Sequence, residues 1–222
     1  MTREREFDLT GAVPPSRWPA DSLRTMAEGT TVAVAVSTAE EMRELGRRLA
    51  SALTAGDLVI LSGGLGAGKT TLTQGIGEGL GVRGPITSPT FVIARVHPPV
   101  APSAATGELP PALVHADAYR LGSALELDDL DLDTDTAASV TVVEWGEGLA
   151  EGLAADRLEI TITPAVDGGR VAGGPLAGGN GAGGEGDPDD PTGDVPRTVR
   201  ISAVGERWEG VKLPLASLAD RL

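Results

Sequence analysis

Residues 57–71 read DLVILSGGLGAGKTT, and this stretch decides the fold. Asp57 opens a short apolar run of the kind that forms a buried strand. The run ends in a glycine-rich turn, Gly63 to Gly68, followed directly by Lys69 and Thr70. Glycines let a backbone pass close to phosphate groups and turn its N–H groups toward them. A lysine at this position neutralises β- and γ-phosphates, and the Ser or Thr after it offers a hydroxyl to magnesium. Leu72, Ile76 and Leu80 then recur at helical spacing, predicting a helix over about 69–80. Strand, loop and helix in that order place a helix N-terminus against the anion.

Working outward, VAVAV at 32–36 predicts a strand. Thr38-Ala39-Glu40-Glu41 has the form of a capping box, with Thr38 as N-cap. Met42, Leu45, Leu49 and Leu53 extend a helical face over about 39–54, with Gly56 expected to end it. Strand-like runs follow at 90–96, 112–116 and 140–144. Their near-continuous apolar character suits a sheet covered on both faces. Residues 157–163 and 197–203 alternate with period two and predict an antiparallel hairpin at a sheet edge. The fold class is therefore α/β. It is a single P-loop NTPase domain over 31–222, with a mostly parallel central sheet, flanking helices and an antiparallel edge hairpin. Residues 1–30 read as a mobile extension. About 165–196, rich in Gly, Pro and Asp, reads as a disordered insertion. A short helix is expected over 214–222.

Composition narrows the chemistry. The 222 residues carry a net charge of −14, which argues against a broad basic face for nucleic acid. The absence of cysteine excludes disulfides and thiolate chemistry. Two histidines, His97 and His115, are too few for a multi-histidine metal site. No run approaches the roughly 20 apolar residues of a membrane span, and no leader-like segment opens the chain, so a cytoplasmic protein is expected.

Asp117 and Glu144 each end an apolar strand-like run. In an open parallel sheet such ends line the ligand crevice, so both carboxylates are candidates for holding magnesium or orienting water. Spacing does not divide the two roles. Ser88-Pro89-Thr90 reads either as a phosphate-sensing loop or as an ordinary turn. His115 reads as a general base or as a structural strand residue, and Trp145 as a lid over the site or as core. With no Asn-Lys-x-Asp segment, ATP is favoured over GTP.

GGLGAGKTTLTQGIGEGLG, ITSPTF, HADAYRL and VVEWGE, in this order and spacing, together resemble the bacterial TsaE (YjeE) family over about residues 36–163. That family is the ATPase component of tRNA threonylcarbamoyladenosine biosynthesis. The resemblance implies that Gly66, Ala67, Gly68, Lys69, Thr70 and Thr71 hold the phosphates of ATP. It implies Thr70 and Glu144 as Mg2+ ligands, Asp117 and Lys69 as catalytic residues, and Ser88, Pro89 and Thr90 as a switch-like loop. Thr38 would lie near the adenosine. TsaB and TsaD type proteins would be partners, with transfer to adenosine 37 of tRNA occurring on TsaD, tRNA contacted indirectly, and ATP turnover supporting cycling of the complex. Gly64 departs from the acid that the family usually carries there. A small-molecule kinase and a non-hydrolytic nucleotide sensor are the competing readings of the same loop.

Overall fold

The computed structural model describes residues 31–89, 93–102, 107–120, 138–164, 166–167, 170–171 and 196–215. The elements run β1 (Thr31–Val36), α1 (Ala39–Ala50), β2 (Leu58–Gly63), α2 (Lys69–Leu80), β3 (Ala94–His97), β4 (Ala112–Asp117), β5 (Ser139–Glu144), β6 (Arg157–Pro164), the two-residue strands β7 (Val166–Asp167) and β8 (Arg170–Val171), and β9 (Arg197–Val204). Seven of the strands form one sheet in the order β1-β9-β6-β2-β5-β4-β3. The centre is parallel, with β2 between β6 and β5, and β4 beyond β5. Both flanks are antiparallel, through β3 on β4 and through β9 on β6 and β1.

The hairpin of β6 and β9 forms as the period-two pattern predicts, but it does not lie at the edge. β1 adds to β9 from Thr31↔Ser202 to Val36↔Arg197 and becomes the edge strand itself. Coverage is not uniform along the sheet. In β1, Val32, Val34 and Val36 are buried while Thr31, Ala33 and Ala35 are exposed, so this half of the sheet faces water on one side. β5 is buried along its whole length, Ser139 to Glu144, and β2 and β4 are buried except at Gly63 and Ala112.

The main core lies between α1, α2 and one sheet face. Met42, Leu45 and Leu49 from α1 and Leu72 and Ile76 from α2 are almost fully buried, joined to Val59, Leu61 and Val142 of the sheet. Each such side chain contributes about 1.5–3 kcal/mol on burial. A smaller cluster on the opposite face gathers Leu58, Ile60, Ala116 and Val143 under Leu149 and Ala150. Among the described residues both α-helices therefore sit on the same face.

The two helices approach at glycines. A Cβ on Gly75 would lie 2.1 Å from the Arg43 carbonyl oxygen, and one on Gly46 would lie 2.4 Å from that of Leu72. At the rim, the Arg47 guanidinium meets Glu40 and Glu44 of its own helix and Glu78 of α2. Thr38 does cap α1, accepting from Glu41 N at 3.1 Å, but the Glu41 carboxylate reaches Ser37 N rather than Thr38 N. α1 ends at Ala50, before the predicted limit. Ser51 closes it, with its hydroxyl and N–H both donating to the Arg48 carbonyl. Gly56 (φ 90°) serves the following turn, where Asp57 accepts from Thr54 N and from the Arg207 guanidinium. No helix among the described residues is long and apolar enough to cross a membrane.

Residues 1–30 lie outside the described residues, as does 216–222, which takes in most of the expected C-terminal helix. The same holds for 165–196 apart from β7, β8 and Pro196. The pairing of Val166–Asp167 with Arg170–Val171 means that this segment does not begin wholly without secondary structure.

Candidate functional site

β2 delivers the chain to the site at Gly63, and α2 carries it away from Lys69. Between them Gly68 stands at φ 105° as the N-cap of α2, a left-handed conformation that favours glycine. Having no side chain, Gly68 provides no cap, so the first N–H groups of α2 have no side-chain cap and carry the positive end of the helix dipole. Gly66 (φ 72°) makes another such turn.

Lys69 is 4% exposed and folds along the loop, its Nζ donating to the carbonyls of Gly63 at 2.8 Å and Gly64 at 2.9 Å. Burial pushes its pKa below the ordinary lysine value, while the carboxylates of Glu144 and Asp117 pull it back up. The Trp145 ring lies 3.6 Å from the ammonium, centroid to Nζ. That contact places Trp145 at the site, where the sequence allowed site and core equally. Trp145 takes φ 59°, an unusual value for a bulky residue, and Tyr119 packs on its ring at 5.1 Å.

The two acids meet as their positions at strand ends predict. Asp117 and Glu144 are register partners at the C-terminal ends of β4 and β5. Thr70 Oγ1 donates to Glu144 Oε1 at 2.8 Å, linking the loop side to the strand side. His115 Nε2 lies 2.8 Å from the same oxygen. Asp117 accepts from Tyr119 N through Oδ1 at 2.9 Å, and Ser88 Oγ approaches Oδ2 at 3.5 Å. Asp117 N donates to the carbonyl of Ile93, whose own N donates to Pro89, so the Ser88-Pro89 segment is tied to the strand end that carries Asp117. Thr90 lies outside the described residues.

Thr70, Asp117, Glu144 and Lys69 are thus brought together, with Ser88 at the margin. Thr71 follows in the first turn of α2, half-buried. Thr38 is not in contact with these groups through any hydrogen bond described. Its helix nonetheless abuts the loop, since a Cβ on Gly68 would lie 3.3 Å from Met42 Cε. Among the described residues no cluster of three or more His, Asp or Glu forms a self-sufficient metal site. A hydroxyl and a carboxylate 2.8 Å apart nevertheless suit Mg2+, a hard cation that takes oxygen ligands and completes its shell with phosphate oxygens and water.

Two contributors escaped the sequence reading. Gln74 Nε2 donates to the Ile86 carbonyl at 2.9 Å, fixing the segment that leads to Ser88. Arg197, at the start of β9, donates to the Gly66 carbonyl at 3.3 Å from 131 residues away. A polar residue on α2 was a weak signal for the first, and no local signal exists for the second.

Residues 36–171 match the family model described as "Threonylcarbamoyl adenosine biosynthesis protein TsaE". The chain is 55% identical over 168 residues to the tRNA threonylcarbamoyladenosine biosynthesis protein TsaE of Streptomyces coelicolor, covering 75% of this chain and 93% of that protein. It is 39% identical over 132 residues to the protein of the same name from Bacillus subtilis, covering 59% of this chain and 77% of that one. Among solved structures, a crystal structure of YdiB from Bacillus subtilis superposes with a TM-score of 0.55 at 26% identity, covering 83% of this chain and 93% of that chain.

Proposed function

The chain belongs to the TsaE family, and from that premise we propose that it is a magnesium-dependent P-loop ATPase serving tRNA threonylcarbamoyladenosine biosynthesis. The observation that carries the catalytic part is the hydrogen bond from Thr70 to Glu144, which joins the phosphate loop to the acid-bearing strand ends.

In this reading the backbone N–H groups of Gly66 to Thr71 and the start of α2 hold the phosphates of ATP. Lys69 exchanges its bonds to the Gly63 and Gly64 carbonyls for the β- and γ-phosphate oxygens. Thr70 Oγ1 and the Glu144 carboxylate hold Mg2+. When bound, the cation offsets negative charge on the phosphates. Asp117, at the neighbouring strand end, orients the attacking water and takes up its proton, with Ser88, Pro89 and Thr90 as the segment that responds to the γ-phosphate. The Trp145 ring keeps water from one side of the lysine. Thr38 lies toward the nucleoside.

Partners of TsaB and TsaD type complete the proposal, with transfer to adenosine 37 of tRNA on TsaD and ATP turnover here supporting cycling of the complex in the cytoplasm. The charge of −14 supports indirect rather than direct contact with tRNA. Replacing Lys69 by Ala tests the hydrolase: phosphate release should be abolished, and unchanged release would overturn the mechanism. Capture of TsaB and TsaD type proteins by the full chain, with and without a non-hydrolysable ATP analogue, tests the assembly.

A further inference from the structure

We propose that His115 is a positioning residue for Glu144: its Nε2–H fixes the carboxylate in the orientation that presents it to a nucleotide-bound cation. The proposal rests on the reading of Thr70 and Glu144 as magnesium ligands.

His115 is 0% exposed, inside β4, and its Nε2 sits 2.8 Å from Glu144 Oε1. In register it pairs with Val142, while Asp117 pairs with Glu144, so His115 lies one pleat below Asp117 on the same sheet face. Glu144 Oε1 therefore receives two donors from different elements, Thr70 Oγ1 from the helix side and His115 Nε2 from within the sheet. A glutamate side chain has three rotatable bonds, and two donors converging on one oxygen select one rotamer. Among the described residues no hydrogen bond engages Oε2, which leaves that oxygen for a cation.

The other ring nitrogen decides between this role and simple packing. His115 Nδ1 is buried and has no hydrogen-bond partner among the described residues. A buried polar atom without a partner is costly, and an apolar side chain of similar volume would fill the same space without that cost. The imidazole is thus explained by its single bond to Glu144. Because the partner is a carboxylate oxygen, which accepts, Nε2 is the nitrogen that carries the donated proton. Residues that orient a metal-binding carboxylate from behind typically affect metal affinity 10–100-fold.

His115→Phe keeps the ring without the donor, and His115→Gln keeps a donor near the Nε2 position. In the full chain, His115→Phe should raise the magnesium concentration that half-saturates binding of a fluorescent ATP analogue by about 10–100-fold. Its affinity for the analogue in EDTA should stay within about twofold, and His115→Gln should recover most of the loss. Unchanged magnesium dependence in His115→Phe, or equal losses in both variants already in EDTA, would overturn the proposal. A separate readout does not depend on metal at all. The chain has two histidines, so 15N spectra of the wild type and of His97→Phe assign the His115 ring. A proton on Nε2 is expected, and a ring whose Nε2 carries none would overturn the proposal even if the folding of His115→Phe failed. Wild-type nucleotide binding that ignores magnesium would instead overturn the reading of Thr70 and Glu144 as ligands.

Discussion

Thr70 Oγ1 donates to Glu144 Oε1 across 2.8 Å, a contact between residues 74 positions apart in the chain. It connects the first turn of α2 to the last residue of β5. The register of β5 against β2 and β4 makes it possible, because Leu61 and Asp117 both align with Glu144 at the same edge of the sheet. The phosphate loop begins two residues after Leu61, so loop and acids meet without any long side chain having to bridge them.

Glu144→Gln keeps the volume and one acceptor while removing the charge. Phosphate release at low magnesium should fall by about 100-fold, equivalent to about 2.7 kcal/mol of lost stabilisation. Nucleotide binding in EDTA should persist. Magnesium titration of phosphate release checks this, and a variant with the wild-type magnesium requirement would remove Glu144 from the metal site.

Asp117→Asn should separate binding from turnover. The Asn carbonyl can still accept from Tyr119 N, so the strand end should hold its shape. On the proposed mechanism the variant lacks the base that orients water, worth about 10²–10⁴-fold in general-base catalysis. Turnover should drop within that range while affinity for nucleotide and magnesium changes little. A loss confined to affinity would move Asp117 from hydrolysis to binding.

How far the sequence disclosed the site depends on sequence separation. The loop was legible because Gly63 to Thr70 are contiguous and the glycines, Lys69 and Thr70 form a local pattern. Asp117 and Glu144 were legible because each terminates an apolar run, and strand ends in an α/β sheet share one edge. Spacing carried no information about the Arg197–Gly66 contact, which depends on β9 returning beside β6 after a long insertion. It also left His115 undecided, since only the pairing of β4 with β5 brings its Nε2 to Glu144. The early end of α1 was missed for a local reason: Gly56 signalled a stop, but the Ser51 hydroxyl competes for the Arg48 carbonyl first.

His97 should make acid stability depend on pH. It is buried in β3, with Nδ1–H donating to the Arg83 carbonyl at 3.3 Å and Nε2 without a partner among the described residues. Burial holds its pKa below the ordinary 6.5, the bond to Arg83 opposes this, and His115 and Arg95 add to the depression. The unfolded chain therefore binds this proton more readily than the folded one. Stability is fully present above the unfolded value and is lost as pH falls through it toward the lower folded value. His97→Phe should lose less stability than the wild type between pH 7.5 and 5.5, read as the shift in urea midpoint. Equal losses would mean that His97 protonates as easily in the fold as outside it.

Gly75, Gly77 and Gly79 weaken α2 by about 1 kcal/mol each relative to alanine. At Gly75 the close crossing outweighs that cost. A Cβ there would stand 2.1 Å from the Arg43 carbonyl oxygen, a backbone atom that cannot swing aside. Gly75→Ala should therefore destabilise the protein by about 1–3 kcal/mol despite its better propensity. In a domain of this size that lowers Tm by about 2–4 °C per kcal/mol. Gly64 is the control. It sits in the phosphate loop with nothing within 4 Å of a Cβ and no positive φ, so Gly64→Ala or Gly64→Asp should change stability by no more than about 0.5 kcal/mol. Thermal melts of the three variants decide the matter: a Gly75→Ala protein as stable as Gly64→Ala would mean that α1 and α2 can separate without cost. The two helices would then not fix the position of the phosphate loop through Met42 and Gly68.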